Sequence, residues 1–386
     1  MPKSTFTKHH PKMKKVAIFG AGQLGSYLCL AARDLGIKTL IVSPDETSPA
    51  VQLADEVIIG ELDEALAIQV AAQVDVVTFE REDIPAEIIQ AIKATQHCEI
   101  NPSPEIMALI SDKGTQKQWL ESNNFPTAPF RILNGEEEPL NLGSEFGPRF
   151  VQKARTGGFD GRGVQIVRDE QALWPIPSII EPFVEHEMEL AVLVARNAAG
   201  DMEVYPAVEL LFESSANILK YALSPARISP ETAEDAQAIG KKIATQLNAV
   251  GLLAVELFLT NDGELLVNEI SPRVHNSGHL TIEANSTSQF EQHLRAICGL
   301  PLGSTEQLTT GAVMANTLFE SNNAEACNAD LGVDPFNDST HIHWYGKRGA
   351  KTLRKMGHVT GTAGSIDLAR THVDQVLMEM IKEPQQ

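Results

Sequence analysis

The chain has 386 residues, long for one domain and comfortable for two or three, and its 43% hydrophobic and 21% charged content is that of a soluble globular protein. Its 31 basic and 51 acidic residues give a formal charge of −20, which argues against nucleic acid and anionic membrane surfaces as partners. Any anionic small molecule must therefore be held by locally placed Arg, Lys and backbone amides. No apolar run approaches the length of about 18 residues that a membrane span needs. The opening segment lacks the apolar core of a signal peptide and reads as a disordered extension before Lys15. Cys29, Cys98, Cys298 and Cys327 contain no Cys-x-x-Cys pair, so neither a zinc site nor a disulfide framework is expected. They read as reduced thiols of a cytoplasmic protein.

In chain order, a short apolar strand over residues 15–19 runs into Gly20-Ala21-Gly22-Gln23-Leu24-Gly25 and a helix ending near Leu35. This is a glycine fingerprint in which bare backbone approaches an anion at a helix N-terminus. Asp45, after a second strand at 39–42, stands where the ribose-binding acid of an NAD enzyme would, so that reading stays open. Strands at 57–60 and 74–79 alternate with helices at 62–72 and 85–94, which predicts a parallel sheet with helices on both faces. Ligands gather at the carboxyl ends of such strands, where the glycine loop and Glu80 both fall; a solvated strand-end acid is the competing reading of Glu80.

Asn101-Pro102-Ser103-Pro104 marks a break, Lys113 opens a helix to about Asn123, and a loop-like acidic tract at 134–148 precedes a strand at 150–153. The block from Lys153 to Val164 (KARTGGFDGRGV) brackets Arg155, Asp160 and Arg162 with four glycines, as a flexible lid rich in free amides over phosphates requires. It lacks the Gly-Lys-[Ser/Thr] of a Walker loop. Glu181 ends a strand and Glu189 lies in the next, at 187–195; they bracket a nucleoside or are ordinary edge acids. A helix is expected over 230–247, and apolar runs at 252–259 and 264–271 flank Asp262-Gly263, the strongest short-range hairpin signal. With a two-residue loop Glu256 faces Glu269. Carboxylates about 5 Å apart repel by roughly 3 kcal/mol at an effective dielectric near 20, so the pair calls for a cation. Hard oxygens on a rigid strand pair suit Mg²⁺ carrying substrate phosphates. A helix at 288–298, a strand through His341, His343 and Tyr345, a basic tract at 347–355 and a terminal helix at 366–382 complete the chain. The basic tract is either a solvated turn or an anion site.

Gly22-Gln23-Leu24-Gly25, the block from Lys153 to Gly163, the run from Asn268 to His279 (NEISPRVHNSGH), His343-Trp344-Tyr345-Gly346-Lys347 and Arg354-Lys355-Met356-Gly357-His358 together resemble the N5-carboxyaminoimidazole ribonucleotide synthase family of ATP-grasp enzymes, over nearly the whole chain. The resemblance implies an α/β ATP-grasp fold with an N-terminal parallel-sheet (pre-ATP-grasp) domain at 14–111, an ATP-grasp domain at 112–300 with its lid at about 112–184, and a small C-terminal domain at 301–386. It implies an ADP-forming ligase of purine biosynthesis that carboxylates 5-aminoimidazole ribonucleotide with ATP and bicarbonate. Lys113, Lys153, the loop Gly158, Phe159, Asp160, Gly161, Arg162, Gly163 and Val164, then Glu181, Pro182, Phe183, Val184, Glu189, Asn268 and Glu269 would bind ATP. Glu256 and Glu269 would hold Mg²⁺, or Mn²⁺ in its place. Gln23, Leu24, Lys347 and Arg354 would take the ribonucleotide phosphate. Glu80, Phe159, Asp160, Arg273, His275 and Asn276 would surround the imidazole and the bicarbonate-derived group, with Asp160, Arg273, His275 and Lys347 catalytic. A homodimer and transfer of product to the N5-carboxyaminoimidazole ribonucleotide mutase are also implied.

Two departures stand out: Phe159 replaces the family's usual Tyr, and Ser271 replaces the Asn that other ATP-grasp enzymes use as a third metal ligand. Three rivals remain. A formate-dependent glycinamide ribonucleotide transformylase does not account for His275-Asn276-Ser277-Gly278-His279. An NAD oxidoreductase leaves the paired glutamates unexplained, and a silent ATP-binding regulator would be expected to have lost Asp160, Glu256 or Glu269.

Overall fold

The computed structural model describes residues 13–135, 141–158, 163–168, 172–213, 218–318, 339–348 and 354–381. Phe159, Asp160, Gly161, Arg162 and Cys327 lie outside the described residues.

The first segment alternates β1 (Lys15–Phe19), α1 (Gln23–Asp34), β2 (Lys38–Ser43), β3 (Glu56–Ile59), α2 (Glu64–Ala71), β4 (Val76–Phe79), α3 (Ala86–Thr95), β5 (Glu99–Ile100) and α4 (Pro104–Ile110). Its five strands form a parallel sheet in the order β3-β2-β1-β4-β5. Helices cover both faces, so β1 and β4 are almost wholly buried and apolar except at Lys15 and Thr78. The first strand and its helix lie where the sequence places them. Helix α4 was not expected; Ser103 caps it and Pro104 occupies its first turn, both start signals inside what reads as a break.

The second segment comprises α5 (Lys113–Ser122), β6 (Arg131–Leu133), α6 (Leu142–Phe146), β7 (Phe150–Ala154), β8 (Val164–Val167) and β9 (Ser178–Pro182), with a four-stranded sheet ordered β6-β9-β7-β8. β10 (His186–Arg196), β11 (Met202–Val204), β12 (Val208–Glu213), β13 (Ile218–Ser224), α7 (Pro230–Gln246), β14 (Gly251–Thr260), β15 (Leu265–Ser271), α8 (Thr281–Ala284) and α9 (Gln289–Ile297) follow. The last elements, β16 (Gly311–Leu318), β17 (Thr340–Trp344), β18 (Lys355–Ala363) and α10 (Ile366–Ile381), extend the same sheet. Its path runs β15-β14-β10-β12-β13-β16-β18-β17, with β11 on β10.

Two apolar clusters fix the geometry. Leu24, Leu28 and Ala32 of α1 pack with Phe290, Leu294 and Ile297 of α9 and with Leu193, Leu252 and Ala254 of the large sheet, which locks the first βα turn beside that sheet. Ala369, Val373 and Val376 of α10 cover Val313, Ala315 and Val359 on β16 and β18. Consequently Lys347, which follows β17, reaches the first βα turn.

Candidate active site

Strands β14 and β15 pair Glu256 with Glu269, the expected partners. The route differs from the simple two-residue loop. Near the turn Leu257 faces Val267 and Leu259 faces Leu265, and the Thr260 N–H donates to Glu264 O (2.9 Å). The loop is thus three residues, Asn261-Asp262-Gly263, with Gly263 at φ +84° as the left-handed closing residue. Asn268 then stands as an extra residue between the pairs Leu257–Val267 and Glu256–Glu269, a β-bulge that resets the register. Both Asn268 and Glu269 line the cleft, while Val267 and Ile270 on either side are in the core.

The cations of the predicted ATP end converge here. Lys113, at the first turn of α5, ion-pairs with Glu269, and Lys153 of β7 donates to Asn268 Oδ1 (2.8 Å). Lys153 also pairs with Glu181 (2.6 Å), whose other oxygen is taken by Lys117. Glu181 therefore differs from the expectation of an acid offered to a nucleoside: its side chain is only 4% exposed and both oxygens are held by lysines. It is the stretch Pro182-Phe183-Val184 that continues along the cleft wall, with Glu189, Phe212, Leu219 and Phe258. Lys117 was missed by sequence reading, although it lies one helical turn from Lys113. Burial lowers its pKa. Asp112 caps α5 through the N–H groups of Gly114 and Thr115 and pairs with Arg155 (2.6 Å), which ties the glycine-rich block to the helix that carries Lys113.

Electrostatically the glutamate pair is unequal. Burial, followed by the charges of Glu269 and Glu189, pushes the Glu256 carboxyl up to about 8. Burial acts the same way on Glu269, but Lys113 and Lys153 outweigh it and hold that carboxyl below its ordinary value. His275 Nε2 lies 3.6 Å from Glu256, and its Nδ1 faces the Ser277 hydroxyl (2.8 Å) and N–H (3.4 Å). A backbone N–H only donates, so Nδ1 accepts and the proton sits on Nε2, toward Glu256. Among the described residues no cluster of three or more His, Cys, Asp or Glu forms a metal cage. The opposed carboxylates are instead an open, two-ligand arrangement of hard oxygens, which fits a divalent cation that shares its remaining positions with phosphate.

At the other end the glycine fingerprint holds an unexpected occupant. Glu80, 7% exposed, accepts from Gly22 N–H (2.7 Å) and Leu24 N–H (3.0 Å), the amides that the motif would offer to a phosphate. A Cβ on Gly22 would lie 2.5 Å from Glu80 Oε1, so the bare backbone makes room for this carboxylate. Asp45, the ribose acid of the NAD reading, closes its own turn on Thr47 N–H (2.8 Å) and hydroxyl (2.7 Å). Lys347 Nζ donates to Gln23 Oε1 (2.6 Å), so opposite ends of the chain meet at this loop. Arg354 and Lys355 line the same space. Between the two ends, Arg273 pairs with Glu82 (2.6 Å), and both side-chain amide atoms of Asn276 are buried with no partner in the protein.

The two ends and the residues between them, from Lys113, Lys153, Glu256 and Glu269 to Gln23, Lys347 and Arg354, border one cleft of about 1080 Å³, more than a single small ligand needs. Of the predicted site residues that are described, Gly163 alone is absent from its lining; it sits at φ +77° beneath Gly158.

The chain matches three family models: a ribonucleotide synthetase preATP-grasp domain over residues 13–111, an ATP-grasp domain over 118–290 and a phosphoribosylaminoimidazole carboxylase C-terminal domain over 312–372. It is 35% identical to the N5-carboxyaminoimidazole ribonucleotide synthase of Bacillus subtilis over 89% of this chain and 90% of that protein. Among solved structures, an ADP complex of an N5-carboxyaminoimidazole ribonucleotide synthetase superposes with a TM-score of 0.86 at 36% identity, covering 94% of this chain and 96% of the other. The Aspergillus clavatus synthase in complex with ADP and 5-aminoimidazole ribonucleotide gives 0.84 at 32% identity, over 95% and 98%. With its three segments matched in order and its paired glutamates in place, the chain belongs to the N5-carboxyaminoimidazole ribonucleotide synthase family of ATP-grasp ligases.

Proposed function

We propose that the cleft performs the family's reaction: ATP phosphorylates bicarbonate to carboxyphosphate with release of ADP, and the carboxyl carbon passes to the exocyclic amine of 5-aminoimidazole ribonucleotide. Phosphate leaves, the amine loses a proton, and N5-carboxyaminoimidazole ribonucleotide results. The observation that carries this reading is the two-ended cleft, with Glu256, Glu269, Lys113 and Lys153 at one end and Gln23, Lys347 and Arg354 at the other. Relatives solved with ATP, and with ADP together with the ribonucleotide, support the occupancy of both ends.

Lys113 and Lys153 neutralise the transferring phosphates, and the apolar wall of Phe183, Phe212, Leu219 and Phe258 receives the base. Glu256 and Glu269 would hold Mg²⁺, which supplies charge neutralisation at the phosphate oxygens. Arg273 and His275 line the cleft between its two ends, where carboxyphosphate charge would develop. The two partnerless atoms of Asn276 offer one donor and one acceptor to the acceptor's ring. Asp160 is assigned to orient or deprotonate the amine, and Phe159 to stack without the hydroxyl of the family's tyrosine. Because Glu80 already occupies the loop amides, the ribonucleotide phosphate falls to Gln23, Lys347 and Arg354 rather than to Gly22 and Leu24. A homodimer, a cytoplasmic site of action and delivery of product to N5-carboxyaminoimidazole ribonucleotide mutase complete the proposal.

The test is product formation and ADP release with ATP, bicarbonate and 5-aminoimidazole ribonucleotide, with Glu269→Gln as the control. Turnover should require all three substrates, and the variant should lose it while remaining folded. ADP release independent of the ribonucleotide, or near-normal turnover of the variant at ordinary Mg²⁺, contradicts the assignment.

A further inference from the structure

Three parts of the chain meet at a buried stack of imidazoles behind the acceptor end. His279, from the segment after β15, stacks on His358 of β18 (centroids 4.7 Å apart, planes 14°), and His358 stacks on His343 of β17 (4.2 Å, 16°). Tyr27, one turn after Gln23 on α1, packs against His279 (5.6 Å). The other two rings are pinned, His343 by Glu283 (2.6 Å) and the central His358 by the Tyr345 hydroxyl (2.8 Å). The His279 plane is therefore set by its neighbours. Its Nε2 lies 3.3 Å from Gln23 Nε2.

The polarity of that contact follows from Lys347. Its ammonium has only protons to give, so Gln23 must turn its oxygen toward Lys347 (2.6 Å) and its NH₂ toward His279. We propose that His279 is a positioning residue for the acceptor end: its unprotonated Nε2 accepts from the Gln23 amide and thereby fixes the Gln23 oxygen on Lys347. Burial first, and then the neighbouring His343, Lys355, His275 and Lys347, drive the His279 pKa well below its ordinary value, so the ring stays neutral as this role requires. Without the acceptor, Gln23 is free to rotate and Lys347 loses the Gln23 Oε1 that, with Lys355 O, aims it.

This inference rests on the assignment of Lys347 to the ribonucleotide. Two variants of matched polarity separate positioning from packing. His279→Gln retains a polar atom near the Nε2 position, whereas His279→Asn places its amide only as far as Nδ1. His279→Asn should raise KM for 5-aminoimidazole ribonucleotide about tenfold, the worth of one lost hydrogen bond, and His279→Gln no more than about threefold. KM for ATP should stay unchanged in both. Equal effects of the two variants, or an equal rise in KM for ATP, would overturn the proposal. ¹⁵N NMR of histidine-labelled enzyme without substrates decides it independently of turnover or of variant folding. His279 should be neutral with its proton on Nδ1; a proton on Nε2 overturns the proposal. A wild-type enzyme with no ribonucleotide-dependent turnover would sink the functional reading instead, leaving the tautomer to decide this one.

Discussion

At the glutamate pair, Lys113 sits on Glu269, while Glu256 is buried beside Glu269 and one further acid, Glu189. Glu256 has a folded-state pKa of about 8 against an ordinary 4.5, so folding favours its protonated form. The stabilisation is complete below about pH 4.5, declines through the window up to about 8 and is gone above it. In the cation-free protein Glu256→Gln should therefore gain thermal stability over the native chain progressively across that window. Thermal scans in chelator at several pH values check this, and parallel profiles would contradict it. The pair itself is readable in sequence because hairpin register is arithmetic. Lys117 and the buried setting of Glu181 are not, because nothing in a sequence says that an acid at a strand end turns inward onto two lysines.

The hairpin shows how an element can be read correctly by a wrong path. A three-residue loop shifts the register by one and the Asn268 bulge shifts it back, so the two irregularities cancel at Glu256. The bulge leaves a trace in the sequence: two polar residues, Asn268 and Glu269, stand between core residues Val267 and Ile270, where a regular strand alternates. Deleting Asn268 should restore strict alternation and keep Glu269 opposite Glu256, while removing one of the two partners named for Lys153 and leaving Glu181. The unfolding midpoint should change little and KM for ATP should rise tenfold or more, since a bond to a charged group is worth about 1.5–3 kcal/mol. A collapse in stability with unchanged KM would show that the bulge serves folding alone. Strand β18 was not foreseen for a related reason. It starts inside the basic tract, and Gly357 and Gly361 weaken its strand pattern; yet a Cβ at 357 would lie 2.3 Å from His343 O. Close approach of β17 requires the glycine that hides the strand.

For the molecule as a whole, a chain of charge −20 repels an anionic ribonucleotide at long range, so capture depends on a few cations placed by the fold. The sheet extension through β16, β18 and β17 brings Lys347 to Gln23, a contact across 324 positions. The parallel sheet, the hairpin and the terminal helix were legible from periodicity and turn residues. The filling of the glycine loop by Glu80 was not, since the motif reads alike whether its amides hold a phosphate or a carboxylate. Lys347→Ala or Arg354→Ala should weaken ribonucleotide binding roughly tenfold to a hundredfold and leave ATP affinity almost unchanged, measured by titration calorimetry. A loss of ATP affinity in either would return the tract to the status of a solvated turn.

The central claim, that this cleft joins ATP to the ribonucleotide through a phosphorylated bicarbonate, is tested most directly by following oxygen. With ¹⁸O-labelled bicarbonate, ATP and 5-aminoimidazole ribonucleotide, one labelled oxygen should appear in the inorganic phosphate for each product molecule formed, because the oxygen that bridges phosphorus and carbon stays with phosphorus. Unlabelled phosphate formed in step with product would contradict the account.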